Sequence, residues 1–82
     1  MNNVNKILKI ARMKKGYSQE RVARLLGYSS PQFISNFERG ECLLPLVKLK
    51  KMGEILGVDK HQIVRNLVLD YTGELYKAFG IK

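Results

Sequence analysis

The chain has 82 residues, 45% of them hydrophobic, with 15 Lys and Arg against 7 Asp and Glu for a formal charge of +8. That length gives one domain with one modest core, and that apolar content excludes a disordered chain. No apolar run reaches the roughly 18 residues of a membrane span, "MNNVNKILKI" has no signal-peptide core, and a lone cysteine excludes an internal disulfide, so a cytoplasmic protein without a membrane partner is expected.

Glycines at 16, 27, 40 and 57 punctuate the first two thirds, and helical periodicity fills the intervals. Val4, Ile7, Leu8 and Ala11 repeat at i, i+3, i+4, i+7 and predict a helix over Val4–Lys15. Gly16 ends it, with Lys14 and Lys15 on the negative end of its dipole. Ser18 is the N-cap signal for a second helix, Gln19–Leu26, burying Val22, Ala23 and Leu26. Ser30 caps a third, Pro31–Arg39, with Pro31 in the first position, where a missing N–H is not needed. Ser29 with Gln32 fits a capping box there equally. A fourth helix begins near Pro45 and buries Leu46, Leu49, Met52 and Leu56, and Asp59 with Gln62 makes the capping box of a fifth. No segment alternates over four or more residues with β-branched bias. The fold class is all-α, a compact five-helix cluster.

Charge is unevenly placed. Residues 1–40 hold eight Lys and Arg against two Glu, a balance of +6, and residues 41–82 hold seven against five acids, a balance of +2. A basic first half points to a polyanion such as nucleic acid, with solubility charge as the plain alternative. The third helix separates the two. Ile34 and Phe37 supply a stripe to seat it, while Gln32, Ser35, Asn36 and Arg39 form an outer stripe of hydrogen-bonding groups. Two short helices joined across "GYSS" make a helix-turn-helix, and double-stranded DNA is the expected partner. Gln and Asn each present a donor beside an acceptor, the complement of the adenine edge. Phe33 lies i,i+4 from Phe37 and is open between packing and contact with thymine or sugar. Tyr28 is expected to pack across the turn.

The stretch "LKIARMKKGYSQERVARLLGYSSPQFISNFERG" resembles the helix-turn-helix of the Cro/C1 (XRE) family, which includes phage repressors and restriction–modification controller proteins. The likeness spans roughly residues 7–57 and rests on arginine in the first helix, "G-x-S-Q", "A-x-x-L-G" and "I-S-x-F-E-R-G". It implies a lambda-repressor-like DNA-binding domain over residues 1–66 and a repressor that binds a palindromic operator as a homodimer. By the same resemblance Gln19 clamps a phosphate, and Arg12 with Glu38 forms a structural ion pair. Pro31, Gln32, Phe33 and Asn36 align with base-reading positions, joined by Ser35 from the outer stripe, while Ser30 and Arg39 meet the DNA backbone. Two departures stand out. Gly27 to Glu38 is one residue longer than the family pattern, and "ECLLP" is acidic and apolar where basic or polar residues are usual. The second departure shifts backbone contact towards Lys48, Lys50 or Lys51.

The chain continues past the resemblance as "LVLDYTGELYKAFGIK", a C-terminal helical extension over 67–82. Val64, Leu67, Tyr71, Leu75 and Ala78 or Phe79 keep helical spacing, although Gly73 is a possible break. Leu67, Tyr71 and Leu75 are the expected dimer surface, the alternative being that they pack on the protein's own core. A rival of another class keeps the fold as a protein–protein interaction module, such as an antitoxin or anti-repressor, and a nonspecific nucleic-acid binder is a third option. Cys42 and His61 lack partners at ligand or catalytic spacing, and the glycines form no phosphate loop. No enzymatic activity, metal, cofactor or small-molecule ligand is expected.

Overall fold

A computed structural model describes residues 3–82; Met1 and Asn2, the first two residues of the expected domain, lie outside the described residues. The helices are α1 (Val4–Lys15), α2 (Gln19–Leu25), α3 (Gln32–Glu38), α4 (Leu46–Leu56) and α5 (Lys60–Ala78), and no strand occurs among the described residues. The fold is all-helical and lambda-repressor-like.

Local chemistry accounts for most ends. Gly16 takes φ 74° and returns its N–H to α1, while Ser18 Oγ accepts from Arg21 N at 3.0 Å to cap α2. Two expected caps form differently. Regular helix begins at Gln32 rather than Pro31, because Pro31 holds ψ 0°; Ser30 Oγ still accepts from Gln32 N, at 3.4 Å. Asp59 precedes α5 without a side-chain cap, and its Oδ1 instead lies 3.6 Å from His61 Nδ1.

The core gathers one face of each helix: Val4 and Leu8, then Val22 and Leu26, then Ile34 and Phe37, then Leu49 and Met52, with Ile63 from α5. Leu46, expected among them, is 69% exposed. It keeps the spacing of its helix, but it lies in the first turn of α4, where no neighbour covers it. Further along, α4 and α5 approach so closely that a Cβ on Gly53 would collide with Ile63 Cδ1.

The expected boundary at 66/67 falls inside α5, which runs unbroken through Gly73. The first half of α5 is part of the domain. Ile63 is buried, Leu67 packs against the core, and the buried Asp70 carboxylate accepts from Asn3 N and Val4 N, both at 3.0 Å, and from Asn3 Nδ2 at 2.8 Å. A carboxylate there satisfies orphan N–H groups and complements the positive end of the α1 dipole. From Tyr71 onward every residue is exposed.

Candidate nucleic-acid interface

α2 and α3 are joined by a turn that reverses at Gly27 (φ 87°), where Tyr28 N donates to Ala23 O at 2.9 Å. Lys48, from α4, donates to Leu26 O at 2.5 Å and stands 5.3 Å from the centroid of the Tyr28 ring. A cation on the last carbonyls of α2 is favourable. The Lys48 amine expected on DNA backbone is therefore held by the turn in the free protein. Tyr28 stacks on Phe33 with ring centroids 5.1 Å apart, so Phe33 pairs with the turn rather than with Phe37. It remains 54% exposed.

The inner face of α3 is fixed by packing and by one buried carboxylate. Glu38 accepts from Arg12 Nε at 2.6 Å, Arg12 Nη2 at 3.0 Å and Gln19 Nε2 at 2.8 Å. Arg12 Nη1 reaches Tyr17 O at 2.7 Å, and Asn5 Nδ2 donates to Glu38 O at 3.2 Å. The side chains of Arg12 and Glu38 are 13% and 2% exposed. Glu38 thus binds α1, α2 and α3 to one point. Gln19, expected on a phosphate, is half-buried and turned to this carboxylate, which leaves its second Nε2 hydrogen and the α2 N-terminus for an anion.

The outer face carries a separate polar network. Gln32 Nε2 donates to Asn36 Oδ1 at 2.9 Å, and Arg39 Nη2 donates to the same oxygen at 2.6 Å. Arg39 Nη1 reaches Ser35 Oγ at 2.5 Å, and its Nε and Nη2 meet the two Glu41 carboxylate oxygens at 3.3 and 3.0 Å. The hydrogen bond from Arg39, then its charge, hold the Glu41 carboxyl below the usual carboxylate range; the same two causes keep Arg39 more basic than a free guanidinium. Gln32, Ser35, Asn36 and Arg39, singled out by spacing, are brought together. Glu41 was missed as a partner, and its only signal in the sequence was an acid two residues after an arginine. Arg21 was also passed over; its guanidinium lies 4.3 Å from the centroid of the Tyr17 ring. Lys50 and Lys51 are exposed.

The helix-turn-helix family model matches residues 8–63, more than half of the chain. The chain belongs to the Cro/C1-type helix-turn-helix family. No curated protein matches it, and no solved structure does. The family is one of DNA-binding regulators and is not typically enzymatic, so the chain is a DNA-binding helix-turn-helix regulator. No described helix is long and apolar enough to cross a membrane. No group of His, Cys, Asp or Glu among the described residues is placed to hold a metal.

Proposed function

We propose that this helix-turn-helix protein is a sequence-specific transcriptional repressor that binds a palindromic operator as a homodimer. The observation that carries the reading is the division of α3 into a buried face, locked by Ile34, Phe37 and Glu38, and an outer polar face of exposed Gln32 and Arg39 with half-buried Ser35 and Asn36. A helix anchored this rigidly can present side chains to base edges in the major groove. Phe33 adds an apolar surface at its start, suited to a thymine methyl. Gln19, Ser30 and Lys48 flank the reading face as phosphate contacts; Lys48 exchanges its present partner for a DNA oxygen, and Gln19 uses its second Nε2 hydrogen.

The dimer is supported by the outer side of α5. Val64, Val68, Tyr71 and Leu75, continuing to Phe79, follow each other at four- and three-residue steps and are all exposed. Leu43 and Leu46 border the same side, with Leu67 at the floor of the recess between them. An apolar surface this continuous on a small protein calls for a partner. A second copy covers it with the same surface and sets two recognition helices about 34 Å apart, one turn of DNA.

Selection of bound sequences from random DNA tests the operator, and sedimentation tests the dimer. A two-fold site with half-sites one helical turn apart is expected. Tyr71→Asp should give a folded monomer that loses about 10²–10⁴-fold on the full site while keeping half-site binding. Leu67→Asp, by contrast, should unfold the domain. The exposed α5 surface also suits the rival reading, an antitoxin- or anti-repressor-like module. Little affinity for DNA together with tight binding to a partner protein would favour that reading instead, and DNA binding without sequence preference a nonspecific binder.

A further inference from the structure

Amide side chains ordinarily offer a base edge a donor and an acceptor together, and Gln32 and Asn36 in isolation would each suit adenine in that way. Their arrangement on α3 removes that choice at Asn36. Arg39 has donors and no acceptor, so the atom of Asn36 that faces it must be the carbonyl oxygen. Asn36 Oδ1 also accepts from Gln32 Nε2, and an amide oxygen has two lone pairs, so it is saturated. Gln32 in turn must present its Nε2 to Asn36, which leaves Oε1 and the second Nε2 hydrogen for a base. The polarity set by the arginine passes along the helix: Arg39 fixes Asn36, and Asn36 fixes Gln32.

Arg39 is itself held from behind. Gly40 takes φ 78°, and the reversed chain returns Glu41 N to Asn36 O at 2.9 Å. That backbone tie brings the Glu41 carboxylate against the guanidinium, where both oxygens are engaged. One Nη2 hydrogen is then free to serve Asn36 while the other stays on Glu41. Bidentate arginine–carboxylate geometry favours one orientation of the fork.

We propose that Arg39, oriented by Glu41, is a specificity-determining residue that sets the hydrogen-bond polarity of the reading face. The face offers Gln32, with Oε1 and one Nε2 hydrogen, near the start of α3, and a donor alone, Asn36 Nδ2, a turn later. The matching DNA places a base amino group opposite Gln32, adenine before cytosine because adenine N7 also takes the second Nε2 hydrogen. Opposite Asn36 it places an acceptor, such as guanine N7 or O6, thymine O4 or adenine N7. The inference rests on the DNA-binding reading above and extends it to the pattern of bases read.

Sequence selection from random DNA with wild type, Arg39→Gln and Glu41→Gln, together with NMR of the free proteins, tests it. Gln at 39 can accept as well as donate and so releases the polarity, whereas Gln at 41 keeps the shape and removes the charge. Both residues are exposed, so both variants should remain folded. In the free protein, Arg39→Gln should shift the side-chain amide signals of Asn36 and Gln32. In the selection, Arg39→Gln should change which bases are preferred at the positions under Gln32 and Asn36. Glu41→Gln should loosen the same preferences, and it should tighten binding to random DNA by roughly three- to tenfold as a fixed negative charge leaves the interface. If Arg39→Gln weakens all sequences alike and leaves the base profile intact, Arg39 is a phosphate contact and the proposal falls. Unchanged amide signals overturn it as well. A wild type that selects no sequence removes the DNA-binding reading itself, and this inference with it.

Discussion

Residues 38 and 41 are both glutamates, both lie at the end of α3, and both take a forked contact from an arginine. They differ in what surrounds them. Glu38 is nearly closed off from solvent and answers to Arg12 and Gln19 from two other helices, whereas Glu41 and Arg39 stand in water and touch only α3. The same pair of side chains therefore performs opposite tasks. Inside, where removing one charge strands the other, the pair fixes how three helices meet. Outside, where solvent screens it, the pair adds little stability and is free to orient a reading surface.

The comparison breaks most readily at Glu38. Glu38→Ala should destabilise the fold by about 3–5 kcal/mol, with a fall in melting temperature of well over ~10 °C. Replacing Arg12 and Glu38 together by methionine should recover much of that loss, since no lone charge is then buried. A melting temperature unmoved by Glu38→Ala would show that burial does not distinguish the two pairs. A third carboxylate sharpens the scale. Asp70 accepts from backbone N–H groups and the Asn3 amide at the start of α1, so Asp70→Ala should cost about 1–3 kcal/mol, read by chemical denaturation.

At the exposed pair the expected stability change is smallest. Arg39→Gln and Glu41→Gln should leave the thermal melt where it is, and a marked fall in either would make the outer pair structural after all. The last and finest distinction is in pH. Glu41 titrates lower in the folded chain than in the unfolded one, so the unfolded state binds more protons across that interval. Its contribution is therefore fully present above the ordinary carboxylate range and is lost as pH falls through the lowered folded value. NMR titration of the Glu41 carboxyl should show the lowered midpoint in wild type and its return towards the ordinary value in Arg39→Gln. An identical midpoint in both proteins would mean that Arg39 does not hold Glu41 in solution.

What could be read from the sequence follows the range of the interactions. The ends of α1 and the start of α2 were legible because Gly16 and Ser18 act on residues a turn away. The two faces of α3 were legible too, since helical spacing alone separates Ile34 and Phe37 from Gln32 and Asn36. Leu46 was misplaced because periodicity shows that a face exists without showing what covers it. The same gap put Leu67 at the centre of the dimer surface, when α5 turns it to the core beside Ile63 and Asp70. Nothing local announces that Asp70 meets the start of α1, 67 residues away. The Arg39–Glu41 pairing was hidden for a different reason. It depends on the backbone reversal at Gly40, which brings together side chains that an extended chain would hold apart.

The tie between Asp70 and Asn3 also bears on the order in which the molecule assembles. It joins residues near the two ends of the described chain, so its loop-closure entropy is among the largest the fold must meet. Contacts among α1, α2 and α3 close much shorter loops, and Arg12 to Glu38 spans 26 residues. During synthesis the helix-turn-helix leaves the ribosome well before residue 70, and α1 waits for its N-terminal anchor until α5 has emerged. α3 should accordingly be structured in the folding transition state while the Asp70 contacts form after it, giving Asp70→Ala a φ-value near zero beside higher values at Ile34 and Phe37. The outer face of α3 is thus complete before the Asp70 tie closes.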